Sequence, residues 1–516
     1  MKQLTFAAIL IPILLISASS ASAQDDPNYV KPKSDDTRGT ATSSQSSEGD
    51  DSGVILQQDD SGTLEGFGGE WRGLRHLERI QFLSNITTLR NSPTLFPLRD
   101  AEVDLDLSTP RPFPLDRGDL HPLLGSPLSP VMSPIRNVED YLNQTLGMNF
   151  GIYYTLLYQN VSDPIPGSQN NIGTGRLDFN MVWNLWESPG PNQANAGHEG
   201  HGLIGILMRQ GNQIGVPNDV NTDQAVGSTQ GLNSLYTGSA GGSATLNLLY
   251  YQQGFMDDRV VLSIGKLHPN QYIGLNFWAN DEARQFLAGP FDGIQVLGLS
   301  HGSYQYGVAG QFAINESLFV NAMITDALGT PVTNFSTLGE GFVWAAAEVG
   351  WVLPFNTDAL GGPTVLTAIW AGQNLDYVTD LAGANNGTNL YDWSNGFALQ
   401  VQGHLTQDLG IWAQGGIAEE KMSTTAAEIS VGMGLERPFG RQGDLFGAAF
   451  NWSKPSSAYE GSSILEKEQS MFEVFYRIQL TGSCQLTPDI QVVLDPGLRS
   501  SSATPVVLGL RLTTDF

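Results

Sequence analysis

Two short stretches of the sequence place together side chains that could do chemistry. Residues 198–201 read His-Glu-Gly-His, which puts two histidines three positions apart in a glycine-rich region. A zinc protease needs two histidines four positions apart on one helix, so this spacing favours loop residues. Ser300 and His301 are adjacent, and adjacent residues of a strand face opposite sides, so they cannot pair as nucleophile and base on a strand. We therefore expect no enzyme activity and no cofactor.

Composition excludes further classes of protein. The chain has 516 residues and a formal net charge of −27, so clustered cations that would bind nucleic acid phosphates are not expected. Cys484 is the only cysteine, which rules out an intrachain disulfide and a cysteine zinc site. Charged residues make up only 15%, yet no stretch beyond the N-terminus is apolar enough for a membrane helix. The 59 glycines suit many strands joined by many turns, so the composition favours an all-β fold.

The first part of the chain carries an export signal. Lys2 precedes an apolar run over residues 4–16, and Ala21-Ser22-Ala23 supplies the small residues that signal peptidase prefers before Gln24. We interpret residues 1–23 as a signal peptide. Residues 24–63 are polar, acidic and rich in serine, which is typical of a disordered tether.

Residues 64–146 have a different character. Trp71, Leu74, Leu77 and Ile80 recur at three-residue steps with arginines between them, which predicts an amphipathic helix whose basic side could plug an acidic lumen or pack as a surface helix. Residues 93–134 are rich in proline and predict an irregular linker. Residues 138–146 predict a short helix leading into the next region.

From residue 147 to the end, apolar and polar residues alternate, as they do on strands with one greasy face. The outer face of the first segment is expected to carry Met148, Phe150, Ile152, Tyr154, Leu156 and Tyr158, and the opposite face Asn149, Gly151, Tyr153, Thr155, Leu157 and Gln159. Later segments keep the rule. Charges and amides occupy one side strand after strand, which is the inside-out pattern of a barrel in a membrane rather than of a soluble sandwich.

Aromatic residues strengthen this interpretation. Tyr158, Trp186, Trp351 and Trp393 recur near strand ends, where aromatic girdles meet lipid headgroups. The chain stops inside its last strand at Phe516, and a terminal phenylalanine on an alternating apolar face resembles the signal read by the barrel assembly machinery. The expected fold is an all-β, transmembrane antiparallel β-barrel over residues 147–516, preceded by a short N-terminal helical segment.

The strand count sets the expected size of the barrel. About 16 strands, and at most 18, fit the segments, because candidates near Gly293 and Pro363 are ambiguous. A closed barrel of that size leaves a water-filled lumen. Polar residues on the inner face then become candidates for contact with hydroxyl-rich solutes, although solvated or mutually paired wall residues are the alternative. These candidates are Arg176, Asp178, Glu428, Glu436, Glu473, Arg477 and Arg511.

Residues 469–516 resemble a known family. The stretch from Glu473 to Thr481, then Leu486-Thr487-Pro488-Asp489-Ile490-Gln491, Asp495-Pro496-Gly497 and Gly509-Leu510-Arg511, is similar to the carbohydrate-selective porins, the OprB-like family. Gly265-Lys266-Leu267 and residues 176–186 and 286–293 resemble its earlier strands, and residues 71–75 its N-terminal segment. Two departures are the proline-rich insertion and Lys266, where the family commonly has arginine.

The resemblance implies a sixteen-stranded barrel in the cell outer membrane that passes monosaccharides, such as glucose, by passive diffusion. Expected partners are outer-membrane lipids and lipopolysaccharide, the barrel assembly machinery and small sugars, and the chain could be a homotrimer or a monomer. The alternative is a general porin, or a structural or adhesive barrel plugged by its N-terminal helix.

Overall fold

The structure is a computed structural model. It describes residues 57–58, 64–65, 138, 142, 146 and 147–516, the last range with gaps at 188–200, 215–220, 236–243, 257–258, 300–303, 316, 331–334, 354–363, 376–392, 407, 442, 458–467 and 500–502. The predicted signal peptide, almost all of the tether, and nearly all of residues 64–146 lie outside the described residues. Val138, Leu142 and Leu146 are helical, and Gln57–Gln58 pairs with Leu64–Glu65 in a two-residue antiparallel bridge.

Sixteen strands of the described chain close into one antiparallel barrel. In chain order they are β1 Met148–Val161, β2 Asn171–Glu187, β3 His201–Gln213, β4 Ala244–Phe255, β5 Val260–Leu267, β6 Gln305–Ala313, β7 Leu318–Asp326, β8 Val343–Leu353, β9 Thr364–Gln373, β10 Ser394–His404, β11 Leu409–Ala418, β12 Thr425–Glu436, β13 Leu445–Pro455, β14 Gln469–Thr481, β15 Cys484–Leu494 and β16 Val506–Asp515.

Each strand pairs with its neighbours in sequence, and β16 closes the barrel against β1. The closing register runs from Val507 opposite Val161 to Asp515 opposite Tyr153. Closure leaves no open sheet edge, so the backbone N–H and C=O groups of the strands bond to one another, as the hydrocarbon core of a membrane requires. The expected all-β barrel and its sixteen strands are therefore confirmed.

Side chains alternate between the two faces of the wall as predicted. On β1, Thr155 and Gln159 are buried inside, whereas Tyr158 is 47% exposed outside. On β16, Arg511 is buried inside and Leu510 is 48% exposed outside. An apolar outer face with a polar inner face is the arrangement of an outer-membrane barrel.

The two ends of the barrel differ in the length of their connections. Four of the connections between strands at the end where residue 147 and Phe516 lie are only two to four residues long, at 256–259, 314–317, 405–408 and 482–483. Longer connections lie at the opposite end, among them residues 162–170, 214–243, 268–304, 327–342 and 374–393. Because outer-membrane barrels have short periplasmic turns and long extracellular loops, the end with short turns faces the periplasm.

The connection between β5 and β6 folds into the barrel, and we call residues 268–299 the inner segment. It contains short helices at Pro269–Gln271, Gly289–Asp292 and Gln295–Leu297. Pro269 is the first residue of one of these helices and Pro290 the second residue of another, and Gly274 and Gly298 adopt positive φ values of 67° and 71° that turn the backbone. The ambiguous strand near Gly293 thus belongs to this segment and not to the wall.

Part of the connection between β3 and β4 also lies inside, and we call residues 221–235 the second inner loop. Its helix Thr222–Val226 is capped by Asn221 and ends at Gly227, whose φ of 79° is left-handed. The loop contacts the inner segment through two backbone hydrogen bonds, Ser234 N–H to Leu287 O at 3.0 Å and Gly289 N–H to Gly231 O at 2.9 Å.

The remaining short helices are 3₁₀ turns at Phe335–Glu340 and Pro438–Gly440. In the part of the chain that the structure describes, no helix is long and apolar enough to cross a membrane.

Candidate functional site: a narrowed lumen

Four charged side chains form a closed ring where the inner segment meets the wall. Asp178 accepts from Arg176 at 2.7 Å and from Arg209 at 2.6 Å through its two carboxylate oxygens. Glu282 Oε1 lies 2.7 Å from Arg176 Nη1 and 3.0 Å from Arg209 Nη2. Two guanidinium groups therefore alternate with two carboxylates, and we call this set the charge ring. Its formal charges cancel.

The sheet register explains three members of the ring. Arg176 and Asp178 are two positions apart on β2 and so share the inner face. Arg209 lies directly opposite Asp178 in the register of β2 and β3. Glu282 is brought to these three by the inner segment. A buried ion pair is favourable only when its geometry is good and its hydrogen bonds are satisfied, and here each carboxylate contacts both arginines.

Two tyrosine side chains contact arginines in and beside the charge ring. Arg209 Nη1 donates to Tyr304 Oη at 2.6 Å, and burial raises the pKa of Tyr304. Arg284 stands over the Tyr153 ring at 4.7 Å from its centroid and binds Asp515 at 2.7 Å. Asp281 lies 3.5 Å from Arg284, and although burial raises the pKa of Asp281, the guanidinium opposes that rise.

Wall glutamates accept backbone N–H groups of the inner segment. Glu473 on β14 accepts from Leu287 at 2.5 Å and from Ala288 at 2.9 Å, one with each carboxylate oxygen. Two further wall glutamates make the same kind of contact. The pairs are Glu428 with Val296 N–H at 3.1 Å and Glu348 with Gly274 N–H at 2.6 Å. These acceptors satisfy N–H groups that the irregular segment cannot pair within itself.

β16 provides donors in turn. Arg511 donates to the carbonyl oxygens of Glu282 and, at 2.7 Å, of Gln285. Thr513 donates to Ala283 O at 3.0 Å. The carbonyl groups next to the charge ring are therefore held by the strand that closes the barrel.

The structure places all seven predicted site residues on inward-facing positions of their strands. It brings Arg176, Asp178 and Arg511 close to Glu282, whereas Glu473 and Glu428 each bind another part of the inner segment. Arg477 donates to Gly443 O at 3.3 Å and interacts electrostatically with Glu436, near the periplasmic end. Contact of any of the seven with a solute stays a prediction.

Sequence reasoning missed several residues of the site. Arg209 is the first, because Leu203 and Leu207 make the inner face of β3 apolar as well, so alternation does not mark the face on which Arg209 lies. Glu282 and Arg284 are the others, and a signal for them existed: residues 281–284 read Asp-Glu-Ala-Arg, the densest charge in a long stretch without period-two alternation. Such a stretch between two strands of a barrel is a candidate for a segment that folds inward.

The two stretches singled out for chemistry lie largely outside the described residues. Ser300 stands in residues 298–302, Gly-Leu-Ser-His-Gly, which has the Gly-x-Ser-x-Gly spacing of a hydrolase nucleophile elbow. That motif requires a preceding strand, whereas the 3₁₀ helix Gln295–Leu297 precedes Ser300 here. Among the described residues, no group of three or more histidine, cysteine, aspartate or glutamate side chains could hold a metal ion.

A sixteen-stranded barrel with an apolar outside and a polar lumen narrowed by an inward-folded segment is an outer-membrane porin. The model of the carbohydrate-selective porin family, OprB, matches residues 202–516. The chain belongs to this family, whose members are channels and not enzymes. The resemblance noted in residues 469–516 is thereby confirmed.

Two known proteins illustrate the relationship. Porin AaxA of Chlamydia abortus is 22% identical over 335 residues, which cover 64% of this chain and 68% of that protein. The high-pH structure of Pseudomonas putida OprB superposes with a TM-score of 0.59 at 15% identity, over 74% of this chain and 97% of that one. This structural likeness concerns the fold alone.

Proposed function

We propose that the chain lets small carbohydrates, monosaccharides such as glucose among them, diffuse passively through its lumen into the periplasm. The observation that carries this proposal is the charge ring, in which Arg176, Asp178, Arg209 and Glu282 compensate one another where the lumen is narrowed. A compensated ring offers donors and acceptors to hydroxyl groups while favouring neither cations nor anions.

The least buried charges near the ring are the ones we expect solutes to meet. The side chain of Asp281 is 17% exposed and that of Arg209 is 12% exposed, whereas Arg176 and Asp178 are almost fully buried. We therefore assign solute contact to Arg209 and Asp281 first. Arg176 and Asp178 lie behind Arg209 and Glu282 and hold both side chains in place through ion pairs.

One observation favours the alternative of a plugged barrel. Phe286 on the inner segment packs edge-on against Phe475 of the wall at 4.9 Å, and Phe291 packs against Trp412 at 6.0 Å. Such apolar packing inside the lumen reduces the cross-section of the lumen more than the charge ring alone would. The predicted N-terminal helix, which could act as a plug or pack as a surface helix, lies outside the described residues.

Several further parts of the proposal concern the ends of the chain. We propose that residues 1–23 are removed on export and that residues 24–63 form a periplasmic tether, since the barrel begins at its periplasmic end. Phe516 donates its backbone N–H to Ile152 O at 2.9 Å, so the terminal residue stays on the wall. Its position supports a role as the recognition signal of the barrel assembly machinery.

Liposome swelling tests the proposal. The mature chain is reconstituted into liposomes, which are transferred to isotonic glucose, larger sugars, or an amino acid of similar size to glucose. We expect fast swelling in glucose, slower swelling with increasing sugar size, and a slower rate for the amino acid, which carries an ammonium and a carboxylate group where glucose has hydroxyl groups. A barrel that lets no solute through would establish the plugged alternative. Equal rates for glucose and the amino acid would leave a pore and remove its preference for carbohydrate.

A further inference from the structure

Glycines form a row across the inner wall near the periplasmic end of the barrel. The registers place Gly410 on β11 opposite His404 on β10, and Gly434 on β12 opposite Gly410. Gly447 on β13 continues the row. Large residues fill the outer face of the same strands, for example Ile411 at 40% and Ile429 at 54% exposure. The inner face of this part of the wall is therefore recessed, and we call Gly410 and Gly434 the glycine recess.

The Trp278 side chain of the inner segment occupies this recess. A β-carbon built on Gly410 would overlap the indole ring, and one built on Gly434 would lie 2.5 Å from Trp278 Cε3. The indole also meets the His404 ring edge-on, at 5.1 Å between centroids, and is only 3% exposed. Only glycine at both wall positions lets the ring approach so closely.

The backbone that precedes Trp278 is held by the wall as well. Gln402 on β10 accepts from Phe277 N–H at 2.8 Å and donates to Leu275 O at 2.7 Å. Asn276 Oδ1 accepts from Trp278 N–H at 3.0 Å. The ring and the peptides just before it are thus held by neighbouring strands: β10, β11 and β12 contact the ring, and β10 contacts the peptides.

Charged residues of the candidate site follow Trp278 within a few positions. Asp281, Glu282 and Arg284 lie three to six residues later. Glu282 binds Arg176 on β2 and Arg284 binds Asp515 on β16, while Asp281 pairs with Arg284. A shift of Trp278 by even a methyl group must be absorbed between the recess and these ion pairs, because packed interiors relax only partly.

We propose that Trp278 is a positioning residue: its packing in the glycine recess fixes the position of the inner segment inside the lumen. It thereby fixes the positions at which Asp281 and Glu282 face the solute pathway. The inference rests on the proposed function for its transport readout. The steric relationship of Trp278 to Gly434 predicts that a change on either side will move the segment. The smaller phenylalanine ring of Trp278→Phe will make room for the methyl group that Gly434→Ala adds.

The test compares four variants with the wild type: Trp278→Phe, Gly434→Ala, the double variant with both changes, and Gly310→Ala. Gly310 is a matched control, since the atoms nearest to its added β-carbon are the ends of the Phe312 and Leu262 side chains in the wall. Planar-bilayer conductance in neutral polymers of graded size measures the passage. Hydrogen exchange of peptides from residues 270–290 measures the segment independently of any transport.

We expect Gly434→Ala to change the polymer cut-off and to raise exchange in residues 270–290 about tenfold or more, with exchange in the strands unchanged. The double variant should return both towards wild type, and Gly310→Ala should change neither. Unchanged exchange and cut-off in Gly434→Ala, or no recovery in the double variant, would overturn the proposal.

If Gly434→Ala does not assemble, recovery of assembly in the double variant supports the proposal, and failure of both variants to assemble overturns it. A wild-type barrel that conducts nothing would instead refute the proposed function, while the exchange data would still decide the role of Trp278.

Discussion

Arg176 Nη1 lies 2.7 Å from Glu282 Oε1, which joins the second wall strand to the inner segment across 106 positions of sequence. Arg176 also holds Asp178, and both carboxylates hold Arg209. The bond therefore does two things at once. It ties the inner segment to the wall, and it cancels charge where that segment enters the lumen.

Removal of the Glu282 charge should change ion selectivity. In Glu282→Gln the ring keeps two guanidinium groups and one carboxylate, and the net positive charge attracts anions. A unit charge at about 10 Å in a water-like medium is worth about 0.4 kcal/mol, which favours chloride and disfavours potassium by the same amount, so the chloride-to-potassium permeability ratio should rise about fourfold. The reversal potential in a potassium chloride gradient at low salt measures this ratio, because higher salt screens the effect.

Two controls sharpen that measurement. Glu340→Gln removes an exposed charge in an extracellular 3₁₀ turn and should leave the ratio unchanged. Arg209→Gln added to Glu282→Gln makes the ring neutral again and should restore the ratio. A double variant as anion-selective as the single one would show that the ring does not set the charge of the passage.

Glu473 should hold the inner segment through both oxygens. In Glu473→Gln the amide places a donor against one of two adjacent N–H groups, Leu287 and Ala288, and so leaves a buried backbone donor without its acceptor. A loss of about 1–3 kcal/mol in local opening is expected. Hydrogen exchange at those two amides measures it, with Glu468→Gln, an exposed residue just before β14, as control. Equal protection in both variants would contradict this clamp.

Asp223 should make docking of the second inner loop depend on pH. Burial raises the pKa of Asp223 from its ordinary value of 3.8 to about 6. The docked loop therefore holds the proton more tightly than the undocked loop, so docking is most stable below pH 4, weakens as pH rises towards 6, and stays weaker above it. The loss is about 3 kcal/mol at most.

Asp223→Asn removes this dependence. Amide exchange of residues 221–235 should be slower than wild type at pH 8 and equal to it near pH 4, with both proteins compared at the same pH. Faster exchange in the variant at pH 8 would mean that the carboxylate stabilises the loop and would refute the sign.

The free-energy cost of a charged residue on the outer face of β16 should depend on its depth in the membrane. Leu510 lies in the middle of the strand and is 48% exposed, so Leu510→Lys should cost roughly 2–4 kcal/mol and impair insertion. Thr514→Lys, on the same face near the periplasmic end, should cost roughly 0–1 kcal/mol. Urea titration of the barrel in liposomes gives both values. Equal costs at the two positions would place the membrane elsewhere on the wall.

The wall could be predicted from the sequence because its signal is local. Alternation from Met148 to Tyr158 depends only on the two-residue repeat of a strand, and burial of Thr155 and Gln159 follows from it. The same rule placed Arg176, Asp178 and Arg511 on the inner face. The rule becomes ambiguous near Gly293, where short apolar runs between glycines and prolines fit a strand and an irregular segment equally well.

The docking of the inner segment could not be predicted in the same way. Glu473 binds the backbone N–H of Leu287, 186 positions away, and a backbone donor leaves no mark in the residue type. The glycine recess leaves a partial signal in the sequence, because Gly410 and Gly434 are glycines at two neighbouring positions of an inner face. Their meaning becomes clear only when Trp278 lies against them.

The most direct test of the account is the ratio of glucose to trisaccharide permeability, measured by liposome swelling, for the wild type and for a variant whose residues 276–286 are replaced by a short Gly-Ser linker. We expect a high ratio for the wild type and a ratio close to that of free diffusion for the variant, because the inner segment narrows the lumen. A wild type that passes both sugars alike, or a variant that keeps the wild-type ratio, would contradict the claim that this segment selects the solute.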